Sequence, residues 1–440
     1  MDKDYIVRLL YEYNPQIHGG GFEVPGFRRA LYFDAEKWIG KKQAIAIVGL
    51  RRTGKTTILR QLMGNAPAES AFFSFDEEET QNKEVLVFVL DYILNNLKSK
   101  YVFLDEIHYV EDWEGVLKRY YDQNSVKFII SGSESLELSK ANAALAGRLV
   151  TFRLDPLSFR EYLGLKGRQI NTGSRIDDWP SIEKTYNELL TGKEFFEREF
   201  LDYLYKGGFP ELVNEDDASV IRKYTAELVV RKIIFRDIPS IFEVRRPDLL
   251  YEIFRYACGS SSSLFDVKNL SSTFSANQLT VGNYMHYLKS AFLIRVSEPY
   301  SRSPAKRASR NRKLHVSHPS IAFAVLGMSR DMLIEKVLGQ YVESLFAGEY
   351  FWRDRRKNEV DLILDGKPPM PVEIKYKNTV RDGDLTGIQR FMEEKKAKKG
   401  IVVTKSLFER RKTQAGELLL IPAWLYSLLE KLSHESSPNM

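Results

Sequence analysis

A glycine-rich segment near position 50 has the residue types of a phosphate-binding loop. Gly49 and Gly54 enclose four residues, and Lys55 and Thr56 follow at once, so the pattern G-x-x-x-x-G-K-[ST] is matched in full. Glycines let successive backbone N–H groups point at phosphates, the lysine contacts the β- and γ-phosphates, and the threonine hydroxyl binds Mg²⁺. The spacing therefore predicts a site for ATP and Mg²⁺. The predicted nucleotide-binding residues are Gly49, Leu50, Arg51, Arg52, Thr53, Gly54, Lys55, Thr56 and Thr57.

A pair of acids follows a second apolar run, Tyr101–Leu104. In a P-loop enzyme Asp105 would hold Mg²⁺ through water, and Glu106 would orient or deprotonate the attacking water. An acidic pair at the N-terminus of a helix is the structural alternative. Because both motifs suit one parallel sheet, the sequence favours the catalytic interpretation.

Two more residues are candidates for the same chemistry. Ser131 follows the apolar run Lys127–Ile130, where a hydroxyl can sense the γ-phosphate or the attacking water, and a simple helix N-cap fits it about as well. We prefer Ser131 to Ser133. Arg148 can supply positive charge to the transition state, within its own subunit or across an interface, and a plain salt bridge is the alternative.

The segments around these residues predict an α/β protein. From Gln43 to about Pro156, short apolar runs alternate with amphipathic segments, which is typical of a parallel sheet with buried strands. The predicted strands are Ala44–Val48, Ala71–Phe75, Tyr101–Leu104, Val126–Ile130 and Leu149–Leu154. The whole chain is predicted to have a lead-in (1–40), a P-loop ATPase core (41–156), a helical lid region (157–256), a winged-helix-like module (257–330) and a second α/β domain (331–440).

These motifs resemble those of archaeal and bacterial AAA+-type ATPases of the signalling (STAND-like) and MNS clade. The resemblance lies in the loop 49–57 and in Leu104–His108, Ile130–Ser133 and Gly147-Arg148, with Pro156–Tyr162, Gly208–Glu211 and Arg236–Ile238 as further family-like pieces. It implies ATP binding, helical and winged-helix segments after the P-loop domain, and a C-terminal restriction-endonuclease-like α/β domain.

A possible DNA-reading module is indicated by the order of elements in Leu264–Pro299. Helix-like Leu264–Phe274 and Asn277–Ala291 precede strand-like Phe292–Glu298, as in a winged helix, and the linker 301–313 carries six basic residues and no acid. The predicted polar face of the second helix, which can reach base edges or phosphates, comprises Asn277, Gln278, Asn283, His286 and Lys289. A protein-binding lid beside a merely solvated basic loop is the alternative.

A third group of chemically able residues lies near the C-terminus. Strand-like 359–364 and 371–376 flank a turn, which predicts a β-hairpin, and strand alternation brings Asp361, Glu373 and Lys375 towards one another. The apolar residues Val360, Leu362 and Leu364 would share the opposite face. Glu343, on the preceding predicted helix, is placed to complete the cluster.

This D…ExK arrangement resembles that of PD-(D/E)xK nucleases and Holliday-junction resolvases. The resemblance implies that Asp361 and Glu373 ligate Mg²⁺ with assistance from Glu343. It also implies that Lys375 positions or activates water and stabilises the developing phosphate charge. Solvated polar positions on an exposed hairpin are the alternative.

Composition limits the remaining choices. A length of 440 residues exceeds a single core, and a net charge of +6 permits a polyanionic partner without demanding one. The single cysteine, Cys258, excludes an internal disulfide and a cysteine-based zinc site, which fits a reducing compartment. The sequence shows no signal-peptide pattern and no apolar run long enough for a membrane span, so we expect a cytoplasmic chain without a membrane partner.

Two main hypotheses follow for the whole chain, and a self-contained defence nuclease gated by ATP is a third. In the first, ATP binding reorganises the middle segments, which present duplex or branched DNA to the nuclease-like domain for binding, remodelling or Mg²⁺-dependent cleavage. In the second, the chain is a nucleotide-dependent signalling switch that acts on a protein partner, and its nuclease-like domain is inactive. A homo-oligomer is compatible with both hypotheses.

Overall fold

The computed structural model describes residues 2–20, 23–132, 145–170, 172–301 and 311–430. The chain divides into two compact units. The first unit comprises Met1–Pro156, Phe235–Val244 and Ser290–Phe292, and the second comprises Leu157–Ile234, Arg245–Lys289 and Leu293–Met440. No helix in the described ranges is long and apolar enough to cross a membrane.

The first unit is built on a five-stranded parallel sheet with the strand order β2-β3-β4-β1-β5. Its strands are β1 (Ala44–Gly49), β2 (Ser70–Ser74), β3 (Tyr101–Asp105), β4 (Lys127–Gly132) and β5 (Leu149–Leu154). Each of the five predicted runs is a strand, with ends that differ by no more than two residues. The central strands β1 and β4 are buried at every position, which explains why they are continuous apolar runs rather than alternating ones.

Helices cover this sheet. They are α1 (Lys3–Tyr13), α2 (Ala30–Glu36), α3 (Lys55–Met63), α4 (Lys83–Tyr92) and α5 (Trp113–Gln123). Helix α3 places Ile58, Leu59 and Leu62 in the core cluster that includes β1 residues Ile45 and Ile47. The helix that follows the phosphate-binding loop is therefore fixed against the strand that precedes it.

A side chain forms hydrogen bonds with the free edge of strand β2. Asn14, just after α1, donates from Nδ2 to the Phe72 carbonyl at 2.7 Å, and the Phe72 N–H donates to Asn14 Oδ1 at 2.7 Å. The asparagine amide thus takes the place of a neighbouring strand at a position where an unpaired edge would expose backbone groups.

The second unit begins with a helical region, as the sequence predicts. Its α-helices before residue 260 are α6 (Phe159–Leu165), α7 (Trp179–Leu189), α8 (Lys193–Lys206), α9 (Ala218–Lys223) and α11 (Pro247–Gly259). Between α9 and the short α10 (Ile238–Ile241) of the first unit, the chain forms the π-helical segments Tyr224–Arg231 and Ile233–Asp237. A capping box starts α6, because the Glu161 N–H donates to the Ser158 hydroxyl and the Ser158 N–H donates to the Glu161 carboxylate.

The rest of the second unit is built on a mixed nine-stranded sheet with the order β13-β14-β12-β11-β10-β9-β7-β8-β6. Its strands are β6 (Ser263–Phe265), β7 (Ile294–Pro299), β8 (Arg312–Val316), β9 (Tyr350–Arg353), β10 (Glu359–Leu364), β11 (Met370–Lys375), β12 (Lys399–Thr404), β13 (Glu409–Lys412) and β14 (Glu417–Pro422). The helices in this part are α12 (Val267–Thr273), α13 (Gln278–Ser290), α14 (Pro319–Leu326), α15 (Glu335–Phe346), α16 (Thr386–Lys395) and α17 (Ala423–Tyr426).

The start of the predicted helix Leu264–Phe274 was wrong. Residues 263–265 form β6, which pairs with β8, and the helix begins only at Val267. The cause is local: the Asp266 side chain accepts a hydrogen bond from the Asn269 N–H at 2.8 Å, which caps the helix and ends the strand before it.

The predicted hairpin of β10 and β11 is present, but its alternation is interrupted. The two strands pair antiparallel, with Leu362 opposite Val372. Between Val360 and Ile363 the pairing of β10 with β9 shifts, and both of these residues enter the same core cluster. Strict alternation would put Val360 and Ile363 on opposite faces, so the predicted shared face of Val360, Leu362 and Leu364 is broken by a β-bulge.

Candidate functional site

The phosphate-binding loop lies between the end of β1 and the start of α3. Gly49 has φ 155°, and a Cβ there would come within 2.3 Å of the Leu154 carbonyl oxygen on β5. Gly54 (φ 100°) forms the N-cap of α3 and, because it has no side chain, cannot itself accept hydrogen bonds from the first-turn N–H groups. The first-turn N–H groups of α3 therefore point out of the loop as donors, and a phosphate group fits that arrangement.

Lys55 and Thr56 meet the acids that follow β3. Lys55 is buried, and its Nζ donates to the carbonyls of Gly49 (3.2 Å) and Leu50 (3.4 Å) and lies 3.6 Å from Glu106 Oε1. The Thr56 hydroxyl donates to Asp105 Oδ2 at 2.7 Å. The structure thus brings together residues that are about fifty positions apart in the sequence.

Ser131 belongs to the same cluster. Its hydroxyl donates to Asp105 Oδ1 and accepts a hydrogen bond from the Glu106 N–H at 3.1 Å. Ser131 therefore holds both acidic residues in place. Ser133, the less favoured alternative, lies outside the described residues.

The two acids have opposite electrostatic surroundings. Burial raises the pKa of Asp105 to about 6, and the negative charge of Glu106 adds to this effect. Hydrogen bonds from the hydroxyls of Ser131 and Thr56 act in the opposite direction. Burial also acts to raise the pKa of Glu106, but the positive charge of Lys55 and further cationic neighbours outweigh it and hold that pKa below its ordinary value. Glu106 therefore remains a carboxylate at neutral pH. It has a left-handed backbone (φ 51°), a conformation in which non-glycine residues are uncommon.

Hydrogen bonds hold the other loop residues in place, one from within the motif and others from Arg29, which precedes it. The Thr53 hydroxyl donates to the Leu50 carbonyl at 2.8 Å, and Arg29 donates from Nη1 to the Thr53 carbonyl at 2.9 Å. Arg29 also donates to the Asp155 carbonyl at 2.9 Å, just after β5. Arg52 is exposed with φ 68°, and Thr57 is half-buried in the first turn of α3. Sequence reasoning missed Arg29, because no motif marks an arginine in the lead-in segment.

A second residue that sequence reasoning missed is Asp237. Its Oδ1 lies 3.5 Å from Arg51 Nη1 and accepts a hydrogen bond from the Tyr109 hydroxyl at 3.0 Å, while Arg51 Nη1 also donates to that hydroxyl at 3.2 Å. The guanidinium of Arg236 lies 5.7 Å from the centre of the Tyr109 ring. In the sequence, Arg236–Ile238 carries only a family resemblance, and Arg51 and Asp237 are 186 positions apart, so no local pattern could pair them.

Arg148 is not brought to this cluster. It directly precedes β5, and its carbonyl accepts a hydrogen bond from the N–H of Ala44, the first residue of β1, whereas the loop follows the last residue of that strand. Its guanidinium pairs with Asp122 at 2.9 and 3.2 Å. This is the salt bridge that the sequence left as the alternative. A role of Arg148 across an interface stays a prediction.

In the second unit, Glu343 and Asp361 meet at the ammonium group of Lys313. Its Nζ lies 2.6 Å from Glu343 Oε1, 2.6 Å from Glu359 Oε1 and 3.0 Å from Asp361 Oδ1, and the lysine side chain is 2% exposed. Glu373 pairs instead with Lys375. In the sequence Lys313 is only the last basic residue of the linker, and nothing near it indicates a place among these acids.

The charges of this cluster shift the pKa values of its acids unequally. Burial is the largest influence on each. Burial raises the pKa of Glu343, and the charge of Asp361 adds to this effect. Burial and the charge of Asp361 also raise the pKa of Glu373, to about 8. For Asp361 the positive charges of Lys313 and Lys375 outweigh burial and hold the pKa below its ordinary value. Of these three acids, Asp361 therefore stays ionised to the lowest pH.

The two predicted metal sites differ in how well they fit Mg²⁺. In the first unit, the hydroxyl of Thr56 and the carboxylate of Asp105 converge beside the donor groups of α3, which is a suitable donor set for Mg²⁺ bound to a triphosphate. In the second unit a lysine ammonium lies between Glu343 and Asp361, and no group of three or more histidine, cysteine or acidic residues in the described part of the chain is arranged to hold a metal ion. The residues of the second cluster do not fit a metal.

Comparisons with known proteins match the chain in three parts. Residues 41–163 match a family model described as an AAA domain, and residues 197–332 and 333–426 match two models described as domains of unknown function. An uncharacterised protein of Methanocaldococcus jannaschii is 26% identical over 415 residues, which cover 87% of this chain and 84% of that protein. A second uncharacterised protein of the same organism is 26% identical over 406 residues, which cover 87% of each.

A Walker-type ATPase of Pyrococcus abyssi is a similar solved structure, with a TM-score of 0.43 and 14% identity over 68% of this chain and 95% of that one. This likeness is too low to carry an argument about function. The matched AAA domain contains the phosphate-binding loop, both acids and all five strands of the parallel sheet. Residues 41–163 are a P-loop ATPase-type domain.

Proposed function

We propose that the chain binds ATP with Mg²⁺ and hydrolyses it at the loop between β1 and α3. The observation that carries this proposal is the hydrogen bond of 2.7 Å between Thr56 and Asp105 beside the N-terminus of α3. Both side chains would hold Mg²⁺, Thr56 directly and Asp105 through water. When bound, the ion would neutralise charge on the phosphates and help to orient them.

Three neighbouring residues would have separate roles in ATP hydrolysis. Lys55 lies against the loop carbonyls, within reach of phosphates seated on α3. Glu106, kept ionised by Lys55 and its other cationic neighbours, would orient the attacking water and accept its proton. Ser131 would act as a positioning residue, because it contacts both acids and keeps Asp105 turned towards Thr56.

Two substitutions test this assignment. Lys55→Ala should lose nucleotide affinity together with turnover, whereas Glu106→Gln should bind ATP and lose about 100-fold or more in turnover, the usual size for a general base. The matched controls are Lys100→Ala and Glu69→Gln, which alter an exposed ion pair of the same unit. Phosphate release is the measurement, with tryptophan fluorescence or calorimetry for binding. Unchanged turnover in both site variants would refute the assignment.

We further propose that ATP binding is coupled to DNA binding through the module of residues 263–316. Its strands β6, β8 and β7 form an antiparallel set around α12 and α13, an order that suits a winged helix. On α13 and its N-terminal flank, the five polar residues singled out from the sequence are all exposed, while Val281, Tyr284 and Leu288 are buried. The exposed face of α13 suits phosphates and base edges, and the sequence of the linker 301–312 adds five basic residues and no acid.

Salt dependence of DNA binding tests this second proposal. Affinity for duplex or four-way DNA should fall steeply between low and moderate salt, and Lys289→Ala should weaken binding and reduce the salt slope by about one charge. Lys37→Ala, an exposed lysine of the first unit, is the control and should bind as the unaltered protein does. If the chain shows no salt-dependent affinity for duplex, single-stranded or branched DNA, the proposal fails.

A second candidate function is a nucleotide-dependent switch that acts on a protein partner. The observation in its favour is Lys313, which lies where a nuclease would need a metal ion. Such a chain would use the second unit as a docking platform. ATP turnover that is stimulated by a protein and by no nucleic acid would support this candidate over the first.

A further inference from the structure

The ammonium of Lys313 is the central positive charge of the acidic cluster. It reaches carboxylates from two elements, Glu343 on α15 and the pair Glu359 and Asp361 on β10, at 2.6 to 3.0 Å. An ammonium group has three N–H donors, and here three carboxylates accept them. Each N–H donor of the Lys313 ammonium thus has a carboxylate acceptor in the cluster, and the lysine side chain is 2% exposed.

Both carboxylate oxygens of Asp361 are committed as well. Asp361 Oδ1 contacts Lys313, and Asp361 Oδ2 accepts a hydrogen bond from the Ile374 N–H at 2.9 Å. Glu373 Oε1 is paired with Lys375 on the same strand, β11, and the buried Glu373 Oε2 has no hydrogen-bond partner in the described part of the chain. Mg²⁺ requires several oxygen atoms at about 2.0–2.1 Å in a near-octahedral shell. An ion placed between these acids would have to displace the ammonium or lie beside it, and like charges at such a distance repel strongly in a buried site.

We propose that Lys313 is the resident cation of this cluster and takes the role that a divalent metal ion would otherwise have. The lysine balances the carboxylates of α15 and β10 and joins β8 to them, so the cluster is a metal-independent structural node. The second unit therefore contains no site for Mg²⁺-dependent cleavage at Glu343, Asp361 and Glu373. This inference does not depend on ATP hydrolysis by the first unit.

Removing the ammonium should turn the node into a cation site. Lys313→Met keeps most of the buried stem and leaves the acids without their counter-ion, so the variant should unfold at a lower temperature than the unaltered protein. Mn²⁺ or Mg²⁺ should then restore its Tm by about 5 °C through binding to the folded state, and should leave the Tm of the unaltered protein unchanged. Lys313→Arg, which keeps the charge, should stay unresponsive to metal.

The measurements are thermal unfolding and Mn²⁺ binding by electron paramagnetic resonance, both on the full chain without nucleotide. Unaltered protein is expected to show no Mn²⁺ binding that is sensitive to Asp361→Asn. This second measurement stays decisive even if Lys313→Met fails to fold. Mn²⁺ binding by the unaltered protein that Asp361→Asn abolishes would overturn the proposal, as would a Lys313→Met variant that is as stable as the unaltered protein and indifferent to metal.

Discussion

Glycine is required at position 49 by the phosphate-binding motif and by the close approach of strand β5. It opens the phosphate-binding motif, and its α-carbon faces the Leu154 carbonyl so closely that a Cβ would lie 2.3 Å from that oxygen. A methyl group there must push β5 away from β1 or distort the loop, and φ 155° adds backbone strain. Packing of the sheet and binding of phosphate thus depend on the same missing side chain.

We expect Gly49→Ala to lower the free energy of unfolding of the first unit by about 2–4 kcal/mol, the range for strain at a buried position, and to abolish nucleotide binding. Gly40→Ala is the matched control, because a Cβ at Gly40 meets no atom within 4 Å, and it should change stability by no more than about 0.5 kcal/mol. Thermal unfolding with and without ADP and Mg²⁺ measures both effects. Equal stability of the two variants would contradict the role given to Gly49.

In the proposed nucleotide site, the convergence of the motif residues was predictable from the sequence, and the contacts of the residues that support them were not. Lys55, Thr56 and Asp105 follow from short strings whose chemistry is general. Arg29 and Asp237 reach the loop across 24 and 186 positions of sequence, and nothing in the neighbourhood of either residue signals the contact. Lys313 meets its acids in the same way, over 30 to 48 positions. Such contacts depend on the tertiary fold, which a single sequence does not provide.

At the scale of elements, a buried lysine joins the start of β4 to the chain before β1. Lys127 donates to the carbonyls of Trp38 (2.7 Å), Lys41 (2.9 Å) and Gln43. Burial lowers the pKa of Lys127 to about 8, so the side chain remains an ammonium at neutral pH. Three carbonyl groups at the end of the α2–β1 connection thus obtain their donor from one side chain.

Lys127→Met should remove these donors and leave buried carbonyls without partners, which lowers the free energy of unfolding by about 2–3 kcal/mol. The matched control is Lys100→Met, since Lys100 forms an exposed ion pair with Glu69, and that pair is expected to contribute about 0.5 kcal/mol or less. The two variants are compared by their Tm in the same buffer. A control that is destabilised as much as Lys127→Met would show that loss of charge, rather than of buried hydrogen bonds, is responsible.

The elements themselves were predictable to different degrees. The strands β1 to β4 were found because burial makes each a compact apolar run, whereas the edge strand β5 is mostly half-buried and was found from its own short apolar run. The short strand β6 was mistaken for the start of a helix, since three residues carry too little periodicity and the cap at Asp266 was not recognised. The bulge in β10 was equally invisible, because it is set by the pairing with β9 and not by the residues of β10 alone.

At the scale of the whole molecule, the segment 235–244 stands out. It belongs to the first unit, although the chain on both sides of it belongs to the second. Its Asp237 contacts Arg51 of the phosphate-binding loop and Tyr109, which lies three residues after Glu106. The loop thus contacts, through Arg51, a segment whose chain continues directly into the second unit, so a change in the loop on nucleotide binding would have a covalent route to that unit.

Hydrogen exchange can detect this coupling. ADP and Mg²⁺ should slow amide exchange in the loop 49–57 and also in the segment 235–244, because a ligand that stabilises the folded loop also stabilises the groups that share its contacts. Asp237→Ala should keep the protection of the loop and lose the nucleotide-dependent protection of the segment. Asp34→Ala, which alters an exposed ion pair with Lys37, should behave as the unaltered protein. If nucleotide leaves exchange in 235–244 unchanged in the unaltered protein, Asp237 is a local structural contact. The coupling to the second unit then requires another route.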